Sequence, residues 1–211
     1  MNLNLKNKVA VITGGSRGIG RATALRFAEE GCKVAICARG QEGLDKAVEG
    51  LSKHKVEVFG KTADVSKPGE TENFIQAAAD ALGSIDCLVN NVGGTAGSRD
   101  FATSDDAAWQ ETFDLNLFHA VRATRAALPH LKTGEGGSVV TISSISGWKP
   151  ANSGAQYGAT KAAEMFLAGA LALELAPDKI RVNTVCPGSL FFDGGGWERF
   201  KEANPEKYET F

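Results

Sequence analysis

An α/β protein built on a parallel sheet with helices on both faces is the fold class that this sequence predicts. Two observations carry it: six short apolar runs rich in Val and Ile, and helix-length stretches with apolar residues at helical spacing between them. The runs are Val9 to Ile12, Val34 to Cys37, Val56 to Phe59, Ile85 to Val89, Val139 to Ile142 and Ile180 to Val185. They are apolar throughout and do not alternate, which is the pattern of strands buried on both faces, and such strands need crossover helices.

Taken in order, the first run ends in a glycine-rich loop, and a helix pattern covers Ile19 to Glu29. Further helices are expected over Phe74 to Leu82, Trp109 to Leu131 and Ala155 to Leu175. Ser66 stands ahead of Lys67, Pro68, Gly69 and Glu70, a hydroxyl followed by proline and an acid, which predicts a helix N-terminus capped there. After Pro187 the pattern changes to Gly188, Ser189, Leu190, Phe191, Phe192, Asp193 and three glycines, and then to a short amphipathic stretch from Trp197 to Phe211. That segment reads as a mobile flap and not as a further strand. The chain of 211 residues fits one domain, with residues 1–188 as its dinucleotide-binding and catalytic body and 189–211 as a substrate flap of the same domain.

Composition narrows the partners. With 43% apolar residues, 23% charged residues and a net charge of -2, the chain has no large positive field to attract nucleic acid or anionic membrane. A small-molecule substrate is the expected partner. The polar stretch Met1 to Lys8 lacks the apolar core of a signal peptide, and no later apolar run is long enough for a membrane helix, so a cytoplasmic protein is expected. Cys32, Cys37, Cys87 and Cys186 show no paired spacing and read as reduced, mostly buried thiols. His54, His119 and His130 fit no metal-binding pattern and are expected to be structural or surface residues, so no metal is anticipated.

The loop Thr13-Gly-Gly-Ser-Arg-Gly-Ile-Gly20 sits between a strand and a helix in the first βαβ unit. Glycines there let the backbone turn sharply and approach a pyrophosphate, whose charge is met by free N–H groups at a helix N-terminus. Gly14, Ser16, Arg17, Gly18, Ile19 and Gly20 are therefore candidate cofactor contacts in a Rossmann-type doubly wound sheet. An acid at the end of the second strand would accept hydrogen bonds from an NAD ribose, but Arg39 stands there. A guanidinium pairs with a 2′-phosphate, and Arg17 is placed to reach the same group, so NADP(H) is expected over NAD(H).

Tyr157 and Lys161 lie one helical turn apart and share a helix face. A neighbouring ammonium stabilises a phenolate, which makes Tyr157 a candidate general acid or base. Ser144 follows the fifth strand, at the sheet edge where ligands bind in such folds, and its hydroxyl is placed to hold a substrate oxygen.

With these residues in place, the sequence resembles the short-chain dehydrogenase/reductase family, with a likeness to the 3-oxoacyl-carrier-protein reductases, from Lys8 to about Leu190. The motifs are TGGSRGIG at Thr13 to Gly20, NNVG at Asn90 to Gly93, ISS at Ile142 to Ser144, YGATK at Tyr157 to Lys161, and PG at Pro187 to Gly188. The resemblance implies hydride transfer between a nicotinamide and a carbonyl carbon, with Tyr157 moving the proton on oxygen. In that scheme Lys161 lowers the tyrosine pKa and holds the nicotinamide ribose, and Ser144 orients the carbonyl. Asn116 holds a water that links Lys161 to solvent, and Ser143 is a structural neighbour. Asp64 and Val65 match an adenine contact, Asn91 and Gly93 a loop beside the adenosine ribose, and Pro187, Gly188 and Leu190 the nicotinamide end.

The resemblance further implies a homotetramer packed through the helices of Asn116 and Tyr157, and a seventh strand beyond the six present here. Phe192 replaces a threonine that usually contacts the nicotinamide, so backbone near Leu190 or a later residue is expected to compensate. A substrate pocket is expected from Ser144, Gly147, Trp148, Asn152, Phe191 and Trp197, an apolar lining suited to an acyl, cyclic or steroid-like ketone. The alternative is a dinucleotide-binding sensor or scaffold without turnover.

Overall fold

The computed structural model describes residues 3–209, so the outermost residues of the two terminal stretches, 1–2 and 210–211, lie outside the described residues. Six parallel strands form one sheet: β1 (Val9–Thr13), β2 (Lys33–Ala38), β3 (Val58–Thr62), β4 (Cys87–Asn90), β5 (Ser138–Ile142) and β6 (Arg181–Val185). Their spatial order is β3-β2-β1-β4-β5-β6, so the chain winds outward from β1 in one direction, then returns to wind in the other. The switch point lies between β1 and β4, at whose carboxyl ends a crevice opens.

The helices are α1 (Gly18–Glu29), α2 (Gln41–Ser52), α3 (Glu70–Leu82), α4 (Asp106–Phe113), α5 (His119–Leu131), α6 (Ala155–Glu174), α7 (Gly196–Ala203) and α8 (Pro205–Glu209). Successive strand residues point to opposite faces, and two cores result. Val9 and Val11 face Phe74, Ile75, Ala123, Ala127 and Ala168 of α3, α5 and α6. Ala10, Ile12, Val34 and Ile36 face Ala24, Ala28, Leu44, Ala47 and Leu51 of α1 and α2. On β6 only Val182 is buried, toward α6, while Arg181, Asn183 and Val185 are exposed on the face that α1 and α2 cover elsewhere. None of the helices among the described residues is long and apolar enough to cross a membrane.

Three sequence expectations change. The helix expected at Ser66 begins at Glu70: Gly69 caps it, with its N–H donated to the Glu72 carboxylate at 3.0 Å. The Ser66 hydroxyl instead donates to Asp64 at 2.7 Å, within the turn that the Lys67 N–H closes on the Asp64 carbonyl. The expected helix from Trp109 to Leu131 is broken by a π-helical turn at Asp114–Phe118. There the Asn116 side-chain amide donates to the Thr112 carbonyl at 2.7 Å, the acceptor that an α-helix would give to the Asn116 backbone N–H. Finally, α2 joins the four helices expected, its Leu44, Ala47 and Leu51 buried at helical spacing.

Candidate active site

A cleft of about 410 Å³ runs along the carboxyl ends of the strands. Its floor begins with Gly14 and Gly18, both in the left-handed region at φ +68° and +56°, where a side chain would be strained. A methyl at Gly18 would also meet the Phe192 ring at 2.8 Å. Gly20 lies beneath the loop and outside the cleft lining, the place of its missing Cβ being taken by the Gly14 carbonyl and the Asn91 amide. Arg17 stands extended ahead of α1, no side chain caps that helix, and its first turn carries no acid. The first-turn N–H groups thus meet the cleft without a negative partner, which is the setting a pyrophosphate requires.

Thr13 ties the two central strands to this loop. Its hydroxyl accepts the Asn91 N–H at 3.0 Å and is bonded to His119 Nε2 at 2.9 Å, while the Asn91 amide donates to the Thr13 carbonyl at 2.9 Å. His119 is thus structural and fully buried, and burial pushes its pKa down to about 3, so its imidazole is neutral.

The remaining expected cofactor residues line the same cleft: Ser16, Ile19, Arg39, Asp64, Val65, Asn91, Gly93, Pro187, Gly188 and Leu190. Burial works to raise the Asp64 pKa, but hydrogen bonds from the Ser66 hydroxyl and N–H, with the charges of Lys67 and the exposed Arg39, hold it below the usual carboxylate range. The flap closes the other side. Arg17 and Arg199 both donate to the Gly194 carbonyl, at 3.4 and 2.5 Å, so the flap is fastened to the glycine loop. Phe192, Gly196 and Trp197 of the flap, together with Val92 and Leu115, line the cleft without having been singled out as cofactor contacts in the sequence.

At the inner end stand Ser144, Tyr157 and Lys161. Burial, the largest influence, raises the Tyr157 pKa, and the Ser144 hydroxyl beside it opposes that rise. The Lys161 ammonium lies 5.6 Å from the centre of the Tyr157 ring. Burial lowers the Lys161 pKa, and the Glu164 carboxylate opposes that fall. Both serines line the cleft, but their hydroxyls have separate tasks: Ser143 is buried and donates to the Lys161 carbonyl at 2.8 Å, while Ser144 is the partner of the Tyr157 phenol.

Asn116 has a different place from the one the resemblance implies. It is buried and does not line the cleft; its Oδ1 accepts the Gly94 N–H at 3.1 Å and its Nδ2 donates to the Gly94 carbonyl at 2.8 Å. Its side chain is committed to the backbone beside Gly93. The expected substrate pocket is also rearranged. Trp148 is 67% exposed, Asn152 is exposed, and Gly147 packs against the Lys161 carbonyl. Phe191 turns away from the cleft into an apolar groove with Leu3, Leu5, Ile19 and Phe27. Of the six, Ser144 and Trp197 remain on the cleft.

A doubly wound sheet with a glycine loop at its switch point and a Ser-Tyr-Lys group across the crevice defines a nicotinamide-dinucleotide oxidoreductase. The chain matches the short chain dehydrogenase family over residues 8–192 and belongs to it. It is 37% identical over 194 residues to YvrD, an uncharacterized oxidoreductase of Bacillus subtilis, covering 92% of this chain and 73% of that one. Among solved structures it is similar to L-sorbose reductase from Gluconobacter frateurii complexed with NADPH and L-sorbose. That match has a TM-score of 0.91 and 32% identity over 100% of this chain and 81% of the other. It is also similar to the NADH-dependent reductase A1-R′ complexed with NAD, with a TM-score of 0.84 and 31% identity over 90% of this chain and 81% of that one.

Proposed function

We propose that the protein is an NADP(H)-dependent reductase of uncharged, largely apolar ketones, interconverting a carbonyl and a secondary alcohol. The observation that carries the reading is the placement of Tyr157 beside the Ser144 hydroxyl and Lys161, in the same cleft as the glycine loop. A bound nicotinamide supplies the hydride to the carbonyl carbon, or takes it back from the alcohol. Ser144 donates a hydrogen bond that orients the carbonyl oxygen, and the Tyr157 phenol, kept protonated by burial, gives its proton to that oxygen. Lys161 stabilises the phenolate that results. Leu190 and Trp197 on the cleft wall favour a substrate with an apolar body.

Arg17 and Arg39 on the adenosine side favour a 2′-phosphate, and no acid occupies the end of β2. L-sorbose reductase, a relative complexed with NADPH and L-sorbose, supports NADPH and an uncharged carbonyl substrate, though L-sorbose itself is polar. Phe166 and Leu173 on α6, 81% and 82% exposed, and Phe118 beside α5 give those helices an apolar outer face that suits packing against further copies of the chain. Four free thiols suit a reducing, cytoplasmic setting.

The test follows cofactor oxidation against acyl, cyclic and ketose ketones, with NADPH and NADH compared. Tyr157→Phe should lower turnover by about 10²- to 10⁴-fold while leaving NADPH binding within about twofold. Unchanged turnover in that variant would remove Tyr157 from the chemistry.

A further inference from the structure

Glu164 belongs to none of the motifs described above, yet it is among the most deeply buried charged groups. Its side chain is 1% exposed and that of Lys161 2%. It follows Lys161 by three residues on α6, and both its oxygens lie on the Lys161 ammonium, at 3.0 and 2.9 Å. The third acceptor of that ammonium is the Ile142 carbonyl at the end of β5, at 3.0 Å. The amine is further confined by Gly93, where an added methyl would lie 2.9 Å from it. Its position is therefore set from three sides.

The groups facing this pair come from every element around it. Tyr157 lies on the same helix, the neutral His119 imidazole on α5, the Ser143 hydroxyl after β5 and the Cys186 thiol after β6, and the Arg99 guanidinium, from the loop between β4 and α4, acts on Tyr157 as a positive charge. Glu164 is the one acid among them. With it ionised, phenol, ammonium and carboxylate sum to zero charge, and loss of a proton from Tyr157 or Lys161 leaves a net negative charge in a site shielded from water. Without it the same loss takes the pair from a positive charge to neutrality, which is the easier step.

We propose that Glu164 is a positioning residue that fixes the Lys161 ammonium and holds the proton on the Tyr157–Lys161 pair, keeping the site in its proton-donating form at neutral pH. That form serves carbonyl reduction, where Tyr157 must give a proton. Burial raises the Glu164 pKa and the Lys161 charge opposes the rise, so on the acid side the pair is lost when Glu164 takes up a proton.

The inference rests on the assignment of Tyr157 and Lys161 as the proton-bearing pair, and its test is chosen to work without turnover. The full chain is labelled with ¹³C at tyrosine Cζ and lysine Cε and titrated by NMR; with two tyrosines in the sequence, Tyr157→Phe identifies the signal. In Glu164→Gln, which keeps shape and a hydrogen-bond acceptor, the first proton loss from the pair should fall by about one pH unit or more, a tenfold change in its ionisation constant. Titrations of Tyr157 and Lys161 that superimpose on those of the unaltered protein would overturn the proposal.

A second measurement needs no variant. In the unaltered protein the Lys161 Cε signal should shift a second time in the acid range, when Glu164 is protonated, and a flat signal there also overturns it. If the unaltered protein turns over no ketone, the proposed function fails while both titrations still decide the role of Glu164. Where turnover is found, the acidic limb of alcohol oxidation should move down in Glu164→Gln by the same amount.

Discussion

His119 provides a quantitative test of how the central crevice is built. Its pKa of about 3 in the folded chain, against an ordinary 6.5, means that the unfolded state binds the extra proton first as pH falls. The folded pKa is depressed, so this contribution is complete above pH 6.5 and is lost steadily as pH drops toward 3. Each unit of that window is worth about 1.4 kcal/mol, so between pH 7 and pH 4 the imidazole removes about 3 kcal/mol of stability. His119→Gln replaces it with a group that does not titrate and can still bond to the Thr13 hydroxyl. Urea unfolding followed by tryptophan fluorescence at pH 7, 6, 5 and 4 gives the stability difference between the two proteins. The variant should lose ground to the unaltered protein at pH 7 and recover about 3 kcal/mol of it by pH 4. A difference independent of pH would refute the neutral, buried imidazole and the packing inferred around it.

Other outcomes follow from the same geometry. Gly93→Ala brings a methyl to 2.9 Å from the Lys161 ammonium and 2.8 Å from Asn116 Oδ1, neither of which is free to retreat. A loss of about 1–3 kcal/mol is expected, read as a drop of about 2–10 °C in Tm, with turnover falling about tenfold or more. An unchanged melting temperature and unchanged turnover would contradict the crowding. Arg39→Asp should weaken NADPH binding about tenfold or more in a fluorescence titration, while NADH binding falls less; equal losses would remove Arg39 from the choice of cofactor.

Much of the fold was legible because its signals are local. Each strand is a short Val and Ile run whose apolar character reports burial on both faces, and the loop after β1 carries glycines where the backbone takes positive φ. Strand limits were less so: β3 begins at Val58 and not at Val56 because pairing with Val34 of β2 sets its register. The π-helical turn at Asp114–Phe118 was hidden because the Asn116 side chain that takes the Thr112 carbonyl is also held by the backbone of Gly94, a segment far away in the chain.

The site divides in the same way. Tyr157, Lys161 and Ser144 are carried by spacing along a helix and by the end of a strand, so the sequence by itself determined which residues stand together and what chemistry they suit. Tertiary structure decided their surroundings. Glu164 sits at i+3 from Lys161, a spacing that on most helices marks a solvated surface pair. Only the packing of α6 on β5 and the Gly93 backbone buries that pair and makes it part of the site. Likewise, the sequence shows Phe191 and Phe192 as equal neighbours, and the path of the flap sends one into the outer groove and the other onto Gly18. Composition and periodicity report what a residue needs, but which groups end up around it is set by contacts between segments that the sequence keeps apart.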